Sequence, residues 1–143
     1  MKISETNFLY TITNIRQRLF KFLEDRLAKE NIRDIAPSYG DILFVLERKG
    51  TITIQELAEH TIKDKSTISS VVNKLEAGGY VTKEKDSEDA RYTKLSLTPK
   101  AKELKSVLIQ ISEEMNQKLF EGISNAEKAR LFELIGKICN NVK

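Results

Sequence analysis

The sequence is poor in several residue types that would support common classes of site. Its 143 residues include one cysteine, one histidine, two prolines, six glycines and no tryptophan. Cys139 has no partner for an intramolecular disulfide, which favours a reducing cytoplasm. His60 and Cys139 lie far apart in the sequence, so they do not form the clustered ligand set that a transition metal needs. We therefore expect no metal site and no disulfide framework.

Long apolar runs are also missing. No stretch approaches the roughly 18 apolar residues that span a bilayer, and the first ten residues lack the apolar core of a signal peptide. The sequence shows no nucleophile–base pair, no glycine-rich phosphate loop and no metal-ligand motif. These absences predict a soluble cytoplasmic protein that is not an enzyme, uses no cofactor and has no membrane partner.

The charge balance is nearly even. The formal net charge is +3, from 24 basic and 21 acidic side chains, and 40% of the residues are hydrophobic. This length and composition suit one domain with a real core, or a compact fold with extensions. So small an excess permits nucleic-acid binding without requiring it. The position of the basic side chains therefore matters more than their number.

Apolar residues at steps of three and four predict most of the helices. One long amphipathic helix covers residues 5–30, with an apolar stripe at Phe8, Ile12, Ile15, Leu19, Phe22, Leu23 and Leu27. A second helix starts at Pro37 and ends at Gly50. Residues 51–53 then fit a brief strand.

Residues 55–77 have the spacing of a helix-turn-helix. A short helix over 55–61 is followed by a second one that Asp64 caps and that Gly78 and Gly79 end. The second helix turns Ile68, Val71, Val72 and Leu75 inward. Its outer face carries small hydroxyls and lysines suited to a major groove, namely Lys65, Ser66, Thr67, Ser69, Ser70, Asn73 and Lys74. An ordinary solvated helix face has the same pattern, so this helix alone does not distinguish a DNA-binding helix from a solvent-exposed one.

The hydrophobic period then changes to two, which predicts a β-hairpin with strands at 80–85 and 93–97. Its long polar tip covers residues 86–91, and basic side chains cluster on or beside it, at Lys83, Lys85, Arg91 and Lys94. A basic hairpin beside a helix-turn-helix is typical of a winged helix, and Arg91 can reach a narrow minor groove. We expect Asp89 to pair with Arg91 and to set its direction. A charged solubilising turn is the alternative.

Two more helices complete the chain. Thr98 and Pro99 start one that runs to about residue 119, and Ser124 with Glu127 forms the capping box of the last. The apolar faces of the first helix and these last two exceed what the central block needs, which favours a symmetric homodimer. We predict a mainly α fold with a small β-wing: a dimerisation helix at 1–36, a winged helix-turn-helix at 37–98 and dimerisation helices at 99–143.

Several of these segments together resemble the MarR (multiple-antibiotic-resistance regulator) family. The resemblance covers nearly the whole chain, and its most specific piece is the wing, with Asp86, Asp89 and Arg91 followed by Leu95-Ser96-Leu97-Thr98. Other matching runs lie at 57–59, 64–69 and 73–81. Three departures stand out. Ala90 replaces a frequent second arginine, Ala101 replaces a frequent glycine, and residues 61–63 lack the regular apolar pattern of the turn.

The resemblance implies a DNA-binding homodimer on a pseudo-palindromic site of double-stranded DNA, most often a repressor. The helix from Lys65 would be the recognition helix and Arg91 the wing arginine, oriented by Asp89. Family members often release DNA when a small phenolic or anionic effector binds between the DNA-binding and dimerisation regions. Aromatic residues at Phe20, Tyr39 and Phe44 are candidates to line such a cavity, although aromatics at helical spacing also build ordinary cores.

Other members of the family sense oxidants through cysteine. Cys139 is a candidate for such a role, but Ile138 favours a partly packed helix there, and a reactive thiol needs an electropositive setting. The main alternative function is a protein-binding anti-regulator of the same fold that does not use DNA.

Overall fold

The computed structural model describes residues 2–143 and is mainly helical with one small sheet, as the sequence predicts. Short 3-10 turns precede the first two α-helices, at Glu5–Asn7 and Pro37–Tyr39. The elements in chain order are α1 Phe8–Lys29, α2 Gly40–Lys49, β1 Ile52–Thr53, α3 Ile54–Glu59, α4 Lys65–Ala77, β2 Val81–Lys85, β3 Thr93–Leu97, α5 Pro99–Glu103, α6 Lys105–Leu119 and α7 Asn125–Asn141.

The sheet joins the wing to the helix-turn-helix. Its three strands are antiparallel in the order β1-β3-β2, so that β3 is central. Leu95 of β3 lies opposite both Ile52 of β1 and Lys83 of β2. Leu95 is fully buried, and Ile52 and Val81 are nearly so. The base of the wing is therefore anchored in the core.

The core lies in the first of two compact units, which ends at Ile111. The inner face of α4 is buried, and Ile68, Val72 and Leu75 are completely so, as its helical period predicts. Leu57 of α3 is also fully buried and Ala58 is half-buried. The other core residues come from α1 and the segment after it, from α2, from α4 and the residue before β2, from the sheet, and from α5 and α6: Leu27, Ile32, Ile35, Ile42, Leu46, Ile52, Val71, Tyr80, Val81, Leu95, Ala101 and Ile111.

The carboxyl end of α4 is fixed by a Schellman motif. Gly79 has a φ of +77°, and the amide of Tyr80 donates to the carbonyl of Leu75 at 2.8 Å. This is the conformation that glycine adopts without steric cost. Two further side chains donate to carbonyls just past the helix end, Thr98 to Gly79 and Lys100 to Gly78, each at 2.6 Å.

The helix predicted from residue 99 to 119 is instead two helices, α5 and α6. The interruption is confined to Leu104, whose backbone stays in the helical region and whose amide lies 3.4 Å from the carbonyl of Lys100. The prediction of one helix was wrong at this residue, because that hydrogen bond is too long to keep a regular turn.

The second compact unit covers residues 112–143. The Ser124–Glu127 capping box of α7 is present, and the rings of Phe120 and Phe132 meet edge to face at 5.6 Å. No residue of α7 is buried within the chain. Since the unit boundary falls inside α6, the division of function at residues 36 and 98 stays a prediction. No helix in residues 2–143 is both long and apolar enough to cross a membrane.

Candidate nucleic-acid interface

Helix α4, the predicted recognition helix, starts at a well-formed cap. The Asp64 carboxylate accepts from the Thr67 amide at 2.7 Å and from the Thr67 hydroxyl at 3.1 Å. These hydrogen bonds, first that from the amide, lower the pKa of Asp64. The cap was predicted and is confirmed. A hydroxyl has one proton, and that of Thr67 is donated to Asp64. Toward DNA the Thr67 side chain could therefore only accept a hydrogen bond or make an apolar contact through its methyl group.

The outer face of α4 is open to solvent. Ser69 is half-buried, and the other side chains predicted to contact DNA from this helix are exposed: Lys65, Ser66, Thr67, Ser70, Asn73 and Lys74. They form a polar surface of small hydroxyls and amides with a lysine near each end. The short side chains let the helix backbone come close to base edges.

The turn between α3 and α4 departs from the apolar pattern at residues 61–63, and the structure gives each residue a different environment. The Thr61 hydroxyl donates to the carbonyl of Leu57 at 3.1 Å. Ile62 is fully exposed, with a relative accessibility of 104%. Lys63 forms an ion pair with Asp41 at the start of α2.

Asp86 organises the loop of the wing. Its carboxylate accepts from the amides of Glu88 at 2.7 Å and Asp89 at 3.3 Å, and it pairs with Lys94 of β3 at 2.8 Å. The bond from Lys94, followed by the amide bonds, lowers the pKa of Asp86. A single carboxylate thus ties the loop to the strand that leaves it.

Arg91 is paired with Asp89, as the sequence predicts. Its Nε lies 3.0 Å from Oδ1 and its Nη2 lies 2.6 Å from Oδ2, and its own amide also donates to Oδ1 at 3.0 Å. The Arg91 side chain is nevertheless 85% exposed. The side-chain bond lowers the pKa of Asp89 and raises that of Arg91. The guanidinium is held in one direction while its remaining edge faces solvent.

Two other predicted DNA contacts have partners within the protein. Lys83 Nζ lies 2.8 Å from Glu76 Oε2 and also donates to Asn73 Oδ1. Lys94 forms an ion pair with Asp86. In the described part of the chain, no carboxylate lies within ion-pair distance of Lys65, Lys74 or Lys85. These three lysines and Arg91 are the cations of the predicted set that face outward.

The aromatic residues predicted to line an effector cavity do not line a pocket that the structure forms beside β1 and β3. Phe20 and Tyr39 are half-buried, whereas Phe44 is 61% exposed with Arg48 over its ring. The pocket, of about 500 Å³, is lined by other residues: Leu46, Glu47, Gly50, Thr51, Ser96, Leu97, Lys102 and Lys105. The effector cavity stays a prediction.

His60 and Cys139 are both on the surface. His60 ends α3 and is exposed. Cys139 is exposed on α7, and Ile138 beside it is 38% exposed, so the expected packing of this helix is not formed within the chain. Between residues 2 and 143, no group of three or more His, Cys, Asp or Glu side chains could hold a metal ion.

Sequence reasoning missed the roles of Asp86 and Glu76. The Asp86 role had a local signal, because an aspartate two residues before an amide it can bind is typical of an Asx turn. The Glu76–Lys83 pair had none, since its members belong to α4 and β2 and meet only after folding.

Comparisons with known proteins agree with this geometry. Residues 33–91 match the model of the MarR family. The transcriptional repressor IacR of Pseudomonas putida is 26% identical over 134 residues, which cover 94% of this chain and 78% of IacR. The regulator SarZ of Staphylococcus aureus is 32% identical over 71 residues, and the match spans about half of each protein, 50% of this chain and 48% of SarZ.

Solved structures share the fold. A MarR protein from Peptoclostridium difficile superimposes with a TM-score of 0.84 at 22% identity, over 99% of this chain and 91% of that one. The described elements, the wing and the helix-turn-helix are those expected of such a protein. The family match and the relatives, which are HTH-type transcriptional regulators, identify residues 33–91 of this chain as a segment of the MarR family of transcriptional regulators.

Proposed function

We propose that this chain is a homodimeric repressor that binds a pseudo-palindromic operator in double-stranded DNA. The observation that carries the proposal is the juxtaposition of two features in one unit: the open polar face of α4 and an exposed Arg91 whose direction Asp89 fixes. A solubilising turn has no need of a bidentate arginine pair, and such a pair adds geometric specificity.

In this proposal the two recognition helices enter successive major grooves about one helical turn apart. Ser66, Ser69, Ser70 and Asn73 meet base edges or phosphates, and Thr67 contributes its acceptor and its methyl group. Lys65, Lys74 and Lys85 neutralise phosphates, so that affinity falls with salt. Arg91 reaches the minor groove, where narrow segments concentrate negative potential. Lys83, Asp89 and Lys94 support this surface through their ion pairs within the protein.

We propose a dimer because the single chain leaves apolar side chains of α1 and α7 exposed to solvent. On α1, Phe8, Ile12 and Ile15 are each at least 40% exposed. On α7, the stripe of Leu131, Leu134, Ile135 and Ile138 is exposed along one side. Contiguous apolar patches of this kind mark protein–protein interfaces. Residues 1–36 and 99–143 are therefore assigned to dimerisation, and residues 37–98 to DNA.

Repression by occlusion of a promoter is the mode we propose, in line with the name of the relative IacR. Release by a small effector is a further part of the proposal, with Phe20, Tyr39 and Phe44 as the candidate lining. The protein would act in the cytoplasm, where its DNA is, and as a binding protein rather than an enzyme.

Fluorescence anisotropy with labelled duplex tests the proposal. The probe is DNA from the region upstream of the protein's own gene, with a scrambled duplex of equal length as control, across a series of salt concentrations. We expect a preference on the order of 10³ for the native duplex and a steep loss of affinity with salt. If that duplex gives no preference, a random-sequence pool supplies the test: failure to enrich any duplex contradicts sequence-specific binding.

One observation favours a second function, a protein-binding anti-regulator. Lys83 and Lys94 are paired with carboxylates, and Ala90 adds no charge at the tip, so the wing carries less free positive charge than its composition indicates. Capture of a protein partner with no duplex requirement and weak salt dependence would support this function over DNA binding.

A further inference from the structure

Lys83 on the wing points toward the recognition helix. On β2 it lies opposite the fully buried Leu95 of β3, and its side chain is only 25% exposed. Its ammonium reaches two residues on α4, the carboxylate of Glu76 at 2.8 Å and the amide oxygen of Asn73. One lysine therefore bridges the two elements that the proposed function brings to DNA.

This bridge also determines the direction of the Asn73 amide. An ammonium group has donors and no acceptor, so the Asn73 atom that faces Lys83 has to be Oδ1 and not Nδ2. The assignment of the amide thus follows from its partner, which removes the usual ambiguity between the two atoms. With the oxygen on Lys83, the NH₂ group is directed away from the wing strand, and Asn73 itself is exposed.

We propose that Lys83 is a positioning residue that fixes the wing against the recognition helix and sets Asn73 to meet DNA as a hydrogen-bond donor. The inference rests on the proposed function and deepens it. A donor at this position suits a phosphate oxygen, or a base acceptor such as N7 or O6 of guanine. It suits the two-bond contact to adenine less well, because that contact uses the amide oxygen as an acceptor and Lys83 already occupies one of its two lone pairs.

The alternative is that Lys83 leaves Glu76 and contacts a phosphate, as its membership of a basic wing first indicated. The two roles differ in what the loss of Lys83 does to salt dependence. A phosphate contact contributes about one unit to the salt slope for each protomer and weakens binding to all sequences equally. A positioning residue leaves the slope unchanged and lowers the preference for the operator.

Three variants of the full-length protein separate these roles: Lys83→Met, Glu76→Gln and, as matched control, Lys85→Met. Lys85 lies two residues along the same strand and is exposed without an ion pair to any carboxylate among residues 2–143. The probes are the duplex that the wild-type protein selects from a random pool and its scramble, each titrated by anisotropy at several salt concentrations. Urea unfolding midpoints check that every variant is folded.

We expect Lys83→Met and Glu76→Gln each to lower the ratio of operator to scramble affinity by about twofold to fivefold, the range of modest surface ion pairs. Lys83→Met leaves the salt slope unchanged, whereas Lys85→Met reduces it by about one per protomer and leaves the ratio as it was. The inference is overturned if Lys83→Met behaves like Lys85→Met, or if Glu76→Gln tightens binding to both duplexes by freeing Lys83.

The bridge between Lys83 and Asn73 can also be tested in the free protein, without DNA. In ¹H–¹⁵N spectra of the free protein, Lys83→Met should shift the side-chain NH₂ signals of Asn73, and Lys85→Met should not. Unshifted Asn73 signals overturn the bridge itself. If the signals shift but the wild-type protein selects no duplex, the proposed function fails and the DNA role of Asn73 fails with it, while the bridge stands.

Discussion

Arg91 combines high exposure with a fixed direction, which is unusual for a long side chain at a loop tip. Its two bonds to Asp89 reduce the side-chain entropy that binding would otherwise remove. We expect Arg91→Ala to weaken operator binding by at least about tenfold, measured by anisotropy. Since the side chain is exposed, the urea midpoint should stay near that of the wild type.

Arg18→Ala is the matched control for Arg91, because Arg18 is an exposed arginine on α1, outside the candidate interface. It removes the same charge and should leave operator affinity almost unchanged. Equal losses from the two variants would mean that only net charge matters. Unchanged affinity in Arg91→Ala would contradict the wing assignment.

Gly78 is enclosed where α4 ends. A Cβ at this position would lie 2.9 Å from the ring of Tyr80 and 3.1 Å from a carboxylate oxygen of Asp34. Gly78→Ala should therefore destabilise the protein by about 1–3 kcal/mol, the range of overpacked sites, in urea unfolding. Gly40→Ala is the control, since Gly40 has helical backbone angles and no atom within 4 Å of a new Cβ. It should be neutral, or more stable by up to about 1 kcal/mol.

Tyr80 links α4 to the segment after α1 through a hydrogen bond from its hydroxyl to Asp34 at 2.8 Å. Burial, together with that bond, raises the pKa of Tyr80 to about 12 from an ordinary value of 10.0. Between these two values the unfolded chain loses the phenolic proton while the folded protein keeps it, so the contribution of Tyr80 is complete below pH 10 and is lost as the pH rises toward 12.

The variant Tyr80→Phe tests this linkage. It should be less stable than the wild type by about 1 kcal/mol at neutral pH, because a partly buried hydrogen bond is missing. The difference in the free energy of unfolding should narrow above pH 10, since phenylalanine does not titrate. A constant difference up to pH 12 would mean that the phenol ionises as it does in the unfolded chain.

At the scale of elements, the wing depends on Asp86. Since hydrogen bonds from Lys94 and two amides lower its pKa below the ordinary 3.8, the loop is stabilised above that pH and loses this stabilisation as the pH falls through the lowered value. We expect Asp86→Asn to raise the amide-exchange rates of Glu88 and Asp89 at neutral pH. Below pH 4 the difference from the wild type should shrink.

Asp25→Asn is a control for Asp86→Asn, because Asp25 pairs with Lys21 across one turn of α1 and belongs to no part of the wing. It should leave exchange in the wing unchanged at every pH. Equal exchange rates in wild type and Asp86→Asn at neutral pH would show that Asp86 does not order the loop.

The elements themselves could be predicted because their signals are local. The helical period identified the buried face of α4, and Asp64, Thr98 and Ser124 marked helix starts that the structure confirms. The interruption at Leu104 has no such local signal. The partners of Lys83 and Lys63 were also missed, because they join side chains from elements that only the tertiary fold brings together. Predictions of charge at the interface were therefore less reliable than predictions of its backbone.

At the scale of the whole molecule, the solvent-exposed apolar stripe of α7 is the surface that the proposed dimer would bury. Ile135→Glu places a charge within this stripe, and in the proposed dimer it would bury that charge without a counterion. We expect the variant to sediment as a monomer at micromolar concentration where the wild type is a dimer, and to lose operator affinity steeply. A wild-type monomer would contradict the proposed assembly.

Ile62→Glu is the control for this substitution, since Ile62 is a fully exposed isoleucine of the turn before α4, outside both apolar stripes. It should sediment as the wild type does. If both variants remain dimeric, the α7 stripe is not part of the interface. The order of the helices and strands could be predicted from the sequence. Dimerisation could only be inferred from apolar residues that the central block does not need, and in the single chain these residues are exposed.

Side-chain hydrogen bonds at the carboxyl end of α4 should make this end of the helix fray less readily than its amino end. Thr98 and Lys100 donate to the carbonyls of Gly79 and Gly78, whereas the amino end depends on the one exposed cap at Asp64. Thermal opening of this helix should therefore be most frequent at Lys65 and Ser66 and become rarer toward Leu75. The end proposed to enter the groove can adjust to the base pairs it meets, while the opposite end stays anchored and keeps its register with the wing.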